Sequence, residues 1–136
     1  MAGKTLPVTG GCLCGAIRYE SAAPPNWVSY CHCRICQKAY GALFGLFAAF
    51  PEAAFRFSRG APKYYRSSPR ARRGFCGECG SPVDFRYDDR PEMAVLIGTL
   101  DRPEEWPAER RHNGIESEVP WLVIDDGLPR VRTEDS

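Results

Sequence analysis

A mainly β fold of short strands joined by turns is expected, and three observations predict it. Twelve prolines and thirteen glycines punctuate a chain of 136 residues, which leaves little room for long helices and supplies the turns that short strands need. Runs of strand-like composition recur along the whole length. Seven cysteines gather in three short clusters, and such clusters can pin small sheets together where the core is modest.

The elements follow in order. Ala16 to Glu20 alternates, with Ile17 and Tyr19 on one face. Trp27 to Tyr30, Leu43 to Phe50, Ala54 to Phe57 and Lys63 to Arg66 come next. Val83 to Tyr87, Met93 to Gly98 and Trp121 to Ile124 complete the set. Pro24-Pro25, Gly60 to Pro62 and Ser67 to Pro69 separate the runs. Helix is expected in two places. One turn runs through Gln37 to Tyr40, after Cys36. Another begins at Asp101, whose carboxylate is placed to cap it, with Glu104 three residues on. Trp27, Trp106 and Trp121 are expected in the core. Residues 1–136 read as a single domain, with Val131 to Ser136 polar and frayed.

Net charge is +1, so the whole-molecule field favours no particular partner. The distribution is uneven. Residues 53–77 contain no acid but carry Arg56, Arg59, Lys63, Arg66, Arg70, Arg72 and Arg73, whereas from Asp101 onward ten acids face five bases. The basic stretch, with Tyr64-Tyr65 inside it, reads as a solvated face or as the footprint of a nucleic-acid module. Near-zero net charge speaks against nucleic acid. Met1 to Pro7 holds no apolar signal core, and the longest apolar run, Ala42 to Phe50, is too short to span a bilayer. A cytoplasmic protein without membrane association is expected. A reducing compartment disfavours disulfides, and an odd cysteine count does not close a disulfide framework.

The cysteines are arranged as Cys12-x-Cys14-Gly15, Cys31-His32-Cys33-x-x-Cys36 and Cys76-x-x-Cys79-Gly80. Zinc takes tetrahedral thiolate ligands at about 2.3 Å. C-x-x-C supplies two corners from one tight turn, and the glycine after Cys79 suits the left-handed conformation that closes it. C-x-C also works, because residues i and i+2 of an extended segment point the same way. The first and third clusters together fill one tetrahedron. The middle cluster offers three ligands and leaves a corner free, as sites that do chemistry do. Two zinc ions per chain are therefore expected, one on Cys12, Cys14, Cys76 and Cys79 and one on Cys31, Cys33 and Cys36.

Other assignments are available. A zinc ribbon would pair Cys33 and Cys36 with Cys76 and Cys79, but the spacing is long and Cys31 would be stranded. A hydrolytic deaminase needs a glutamate beside its first ligand and a proline before C-x-x-C; here His32 and Phe75 stand near those places. The seven could also be buried free thiols. His32 lies between two ligands and should point away from them. His112 is the rival for the fourth corner, which would make the middle site structural. It is expected instead to be a non-ligand, lining the site on an accessible loop beside Asn113-Gly114. An open three-thiolate zinc could take a thiol and hold it ionised beside a carbonyl, with the basic stretch ending in Arg72 and Arg73 either meeting an anionic thiol or offsetting the nearby zinc–thiolate charge.

Gly11-Cys-Leu-Cys-Gly15, Ser29-Tyr-Cys-His-Cys-x-x-Cys36, Phe75-Cys-x-x-Cys-Gly-Ser81, Pro120-Trp121 and Asp126-Gly-Leu-Pro129 resemble the glutathione-dependent formaldehyde-activating enzyme family, which includes centromere protein V. The resemblance runs over about residues 8–129. It implies a β-tent fold of small antiparallel sheets pinned by zinc. It also implies structural zinc on Cys12, Cys14, Cys76 and Cys79, and a catalytic zinc on Cys31, Cys33 and Cys36. The implied activity is that of a carbon–sulfur lyase, S-(hydroxymethyl)glutathione synthase-like, with a small thiol such as glutathione and a small aldehyde as partners. Gln37-Lys38 stands where members of the family often carry arginine-lysine.

Overall fold

The computed structural model describes residues 4–133 and is mainly β. Three short strands form one sheet: β1 (Val8–Gly11), β2 (Arg18–Ser21) and β5 (Phe55–Arg59), in the order β1-β2-β5. The other eight form the second sheet: β3 (Trp27–Cys31), β4 (Gly45–Pro51), β6 (Lys63–Ser68), β7 (Ala71–Phe75), β8 (Pro82–Tyr87), β9 (Glu92–Leu96), β10 (His112–Asn113) and β11 (Arg130–Val131). Their order is β11-β10-β3-β4-β9-β8-β7-β6. Pairing is antiparallel except at one edge, where β10 runs parallel to both β3 and β11. The single α-helix, α1 (Arg34–Tyr40), follows β3. Among the described residues no helix is long and apolar enough to cross a membrane.

β4 explains how the core divides. Its apolar run is buried on both faces, as suits a central strand. Ala48 and Phe50 point into the larger cluster with Val8, Ile17, Tyr19, Val28, Val83, Met93 and Val95. Phe47 and Ala49, one residue out of phase, point into a smaller cluster with Cys36 and Ala94, against which Trp27, Tyr40 and Phe85 pack. Burying a phenylalanine such as Phe47 or Phe50 contributes about 1.5–3 kcal/mol. The second cluster is therefore a genuine packing unit, and it forms the wall behind the middle cysteines.

The sheets are tied together beside β9. That strand ends at Leu96 and a 3-10 turn takes Ile97–Thr99, where the sequence suggested strand through Gly98. Thr99 Oγ1 lies 2.5 Å from Tyr19 Oη, and Asp101 receives Thr9 Oγ1 at 2.7 Å and Arg18 Nη1 at 3.0 Å. Asp101 is thus occupied by the three-stranded sheet and caps no helix. Only the 3-10 turn Pro103–Glu105 follows it.

Three further expectations are corrected. Trp121 to Ile124 is irregular and has no strand partner; Trp121 is 75% exposed, so of the three tryptophans only Trp106 is buried, while Trp27 is half-buried. β1, β7, β10 and β11 are strands that composition did not reveal. Val131, expected to be frayed, pairs with Asn113 in β11, while residues 134–136 of that tail lie outside the described residues.

Candidate functional site

The first group of cysteines is built at the junction of the two sheets. Cys12 and Cys14 lie in the turn between β1 and β2, and Cys76 and Cys79 in the turn between β7 and β8. Gly80 closes the second turn with φ +78°, and its N–H donates to Cys76 O at 2.8 Å. The left-handed conformation expected from the sequence is thus present. The four ligand atoms all lie within 4.8 Å of one another. Cys14 Sγ lies 3.7 Å from Cys12 Sγ and 3.8 Å from Cys76 Sγ. A tetrahedron with metal–sulfur bonds of about 2.3 Å has edges of about 3.8 Å, so these sulfurs fit a closed thiolate site.

The second group comes from the end of β3 and the start of α1. Cys33 is the N-cap of α1, and its sulfur accepts from Cys36 N at 3.4 Å. Gly41 ends the helix with φ +59°, its N–H bonded to Gln37 O, so the segment carrying Cys36 is only two turns long and fixed at both ends. Cys31, Cys33 and Cys36 bring their sulfurs within 4.8 Å of one another, and among the described residues no fourth histidine, cysteine or carboxylate joins them. The three could therefore hold a metal ion with one corner to spare. The two groups are the ones the spacing predicted, and they do not pair Cys33 and Cys36 with Cys76 and Cys79 as a zinc ribbon would.

Gln37 explains its own identity. Its side chain is buried, donates to His32 O at 2.8 Å and Ser117 O at 2.9 Å, and accepts from Arg34. It fastens the cysteine loop to the turn at Ile115–Ser117.

All three cysteines of the second group line a cavity of about 190 Å³. Its walls include Trp27, Phe47, Phe85, Tyr87 and Ala94. Arg73, Arg90, Arg110 and Arg111 also line it, and among the described residues no aspartate or glutamate does. Arg90 lies 4.4 Å above the Tyr87 ring and Arg110 lies 4.8 Å above the Trp27 ring. Elsewhere most of the arginines meet carboxylates. In the acid-free stretch Arg56 meets Glu20, Arg66 and Arg72 meet Asp88, and Arg70 meets Asp89. Four of the seven bases in this stretch thus meet carboxylates from outside it, so it is not a bare basic stripe. Arg72 accordingly points away from the cavity, stacked on Tyr64 at 5.0 Å, while Arg73 points into it.

Arg73 is 9% exposed. Nη1 and Nη2 lie 3.6 and 3.7 Å from Cys36 Sγ, Nη1 donates to Tyr40 Oη at 2.7 Å and Nε donates to Ser67 Oγ at 3.0 Å. Burial works against its charge, but Tyr40 and Cys36 beside it keep its pKa above the ordinary value.

His112 is neither a ligand nor on an accessible loop. It is fully buried in β10. Its Nε2 lies 2.9 and 3.0 Å from the two oxygens of Asp126, and its Nδ1 lies 2.8 Å from His32 Nε2. A carboxylate only accepts, so Nε2 of His112 donates to it; a neutral His112 then accepts at Nδ1 from His32. Tyr30 stacks on His112 at 4.3 Å. His32 points away from the sulfurs, as expected, and burial, followed by His112 and Arg130, pushes its pKa down to about 4. Neighbouring Asn113 is the residue that lines the cavity, with Nδ2 4.0 Å from Cys31 Sγ. Asn113, Arg90 and Arg110 were not legible as site residues, because each reaches the cavity from a strand or loop distant in sequence.

The comparisons agree with this architecture. A protein of Schizosaccharomyces pombe named an uncharacterized lyase is 32% identical over 78 residues, which span 57% of this chain and 56% of that relative. The match thus covers little more than half the length of either. A crystal structure of a Rhodobacter sphaeroides protein has the same fold, with a TM-score of 0.57 at 20% identity over 90% of this chain and 98% of that one. The glutathione-dependent formaldehyde-activating enzyme family matches residues 7–113. That match spans both cysteine groups and most of the cavity wall, and it establishes that the chain belongs to this family.

Proposed function

We propose that the protein is a zinc-dependent lyase-type enzyme that interconverts a thiol and a small aldehyde with their S-hydroxyalkyl adduct. The family name suggests glutathione and formaldehyde as the pair, and the name of the fission-yeast relative accords with a lyase. The observation that carries the proposal is the position of Cys31, Cys33 and Cys36. All three line the arginine-rich cavity, while the four other cysteines make a self-sufficient set at the sheet junction. The addition forms one carbon–sulfur bond, opens the carbonyl double bond and moves the thiol proton to the carbonyl oxygen. It needs no oxidant and no second cofactor.

Zinc bound by these three cysteines would supply a Lewis acid and an open position that favours an ionised thiol. The chain's own residues do the rest. Cys33 and Cys36 hold their sulfurs through the first turn of α1, so the ligand set is preformed. Trp27, Phe47 and Phe85 narrow the water around the reacting sulfur, which keeps the nucleophile poorly solvated. Arg90 and Arg110, stacked on aromatic rings and without carboxylate partners among the described residues, are placed to receive the anionic groups of a thiol such as glutathione. The four-cysteine set would hold a structural zinc. Seven cysteines with no disulfide among them suit a reducing compartment such as the cytoplasm.

The test has two parts. Purified protein should contain two zinc equivalents. With glutathione and formaldehyde at equilibrium, carbon-13 exchange spectroscopy should show faster exchange between free formaldehyde and the adduct than without protein, and Cys33→Ser should abolish the acceleration. No acceleration with any thiol tried would sink the lyase assignment.

A further inference from the structure

The two cysteine groups differ in what surrounds their sulfurs. In the four-cysteine group the contacts are neutral. Cys12 accepts from Ile17 N at 3.3 Å, Cys76 accepts from Glu78 N at 3.4 Å and Cys79 N at 3.5 Å, and Cys79 meets Ser81 Oγ at 3.1 Å. Among the described residues no cation hydrogen-bonds these sulfurs. In the three-cysteine group the contacts are graded. Cys31 faces the Asn113 amide at 4.0 Å, Cys33 faces the backbone N–H of Cys36 at 3.4 Å, and Cys36 faces a guanidinium through two nitrogens.

A guanidinium is costly to bury unless an anion compensates it. Among the described residues Arg73 has no carboxylate partner; its neighbours are Ser67, Tyr40, the Phe85 ring 4.7 Å away and the Cys36 sulfur. Among the described residues the only anion within reach is therefore a Cys36 thiolate. Charge counting then assigns a purpose. Three thiolates on a divalent ion leave the centre at −1, and an anionic fourth ligand would take it to −2; of the arginines that line the cavity, only Arg73 hydrogen-bonds one of the sulfurs among the described residues. One fixed positive charge in contact with the centre offsets that charge. Arg90 and Arg110 lie over Tyr87 and Trp27 and make no hydrogen bond to a sulfur among the described residues.

We propose that Arg73 is a positioning residue that acts through Cys36: it offsets the charge of the three-cysteine centre and so sets that centre to accept an anionic rather than a neutral fourth ligand. This rests on the three cysteines holding a metal, and not on which thiol or aldehyde is the substrate.

The test uses cobalt-substituted full-length protein and two probes of opposite kind, azide as the anion and imidazole as the neutral ligand. Their affinities for the three-cysteine centre are read from its visible absorption. Arg73→Met should lower the azide-to-imidazole affinity ratio at least tenfold. Arg73→Lys, which keeps the charge and gives up the fork, should keep the ratio within threefold of wild type. A structural role alone would weaken both probes together and leave the ratio unchanged, which would overturn the proposal. A tenfold fall in the Lys variant would overturn it too, and that variant decides the matter if the Met variant does not fold. Uptake of a single cobalt equivalent would overturn both this proposal and the zinc enzyme. A charge-dependent azide ratio with no response to any thiol would leave this proposal standing and remove the lyase.

Discussion

Asp84 is fully buried in β8, with one carboxylate oxygen accepting from Tyr64 Oη at 2.8 Å and the other without a hydrogen-bond partner. Burial raises its pKa from 3.8 to about 6, against the pull of the Tyr64 hydrogen bond and of Arg86 and Arg72. The folded state therefore holds more protons than the unfolded state between those two values. The contribution of Asp84 to stability is greatest at low pH and is lost as pH rises through about 6. A difference of that size corresponds to about 3 kcal/mol at neutral pH. Asp84→Asn should raise the unfolding free energy at pH 7.5 by about 1–3 kcal/mol, since the amide keeps the Tyr64 bond but leaves other polar atoms unpartnered. The gain should shrink at pH 5. Urea titrations of both proteins at the two pH values check this, and a gain that is equal at both would show that ionisation is not its origin. Asp84 has no signature in the sequence, where it is one acid among seventeen. The cysteines were legible because their chemistry is written in spacing, whereas the burial of a carboxylate depends on strands that meet only in three dimensions.

The parallel strip β3-β10-β11 supports the site from behind the cysteine loop. His112 pairs with Tyr30 on one side and Arg130 on the other, and its ring links Asp126 to His32. That chain of bonds anchors the residue between Cys31 and Cys33. His112→Ala should cost about 1–3 kcal/mol from the partners left unpaired, with a further loss from the cavity created. At saturating zinc the variant should still bind two equivalents, because no ligand has gone. Loss of one equivalent by metal analysis would place His112 in the coordination shell after all. The strands were unevenly readable for physical reasons. β1 reads poorly because Gly10 and Gly11 favour no strand, yet a Cβ on Gly10 would sit 2.4 Å from Tyr19 Oη; the glycine is needed where the ring crosses. β7 reads as a basic loop because Arg72 and Arg73 mask an alternation in which one arginine faces Asp88 and Tyr64 and the other faces Cys36. β10 and β11 hold two residues each, too few to carry a pattern. Trp121 to Ile124 has strand composition but no neighbour to pair with, and composition cannot supply one.

At the scale of the whole molecule, the four-cysteine group joins the three-stranded sheet to the eight-stranded one. Structural zinc in small finger domains contributes about 10–16 kcal/mol of binding free energy, as much as the whole stability of a typical domain, about 5–15 kcal/mol. Cys76→Ser should therefore unfold the protein or leave it aggregating, by circular dichroism and gel filtration. Cys33→Ser should remain folded with one metal fewer. Equal loss of structure in both would make the second group structural as well. A chelator should empty the three-cysteine group first, giving two phases of zinc release, and a single release coinciding with unfolding would contradict the inequality of the two sites. The mainly β class and the division of cysteines into four and three followed from the sequence, while the joining of two sheets by one group did not, because it depends on which turns the topology brings together. That junction also has a consequence in time. Cys14 and Cys76 are 62 residues apart. At synthesis rates of about 5–20 residues per second, the first pair of thiols leaves the ribosome about 3–12 s before its partners do. Throughout that interval the nascent chain presents half a coordination site, open to the wrong metal or to oxidation, and the first sheet has nothing to dock against.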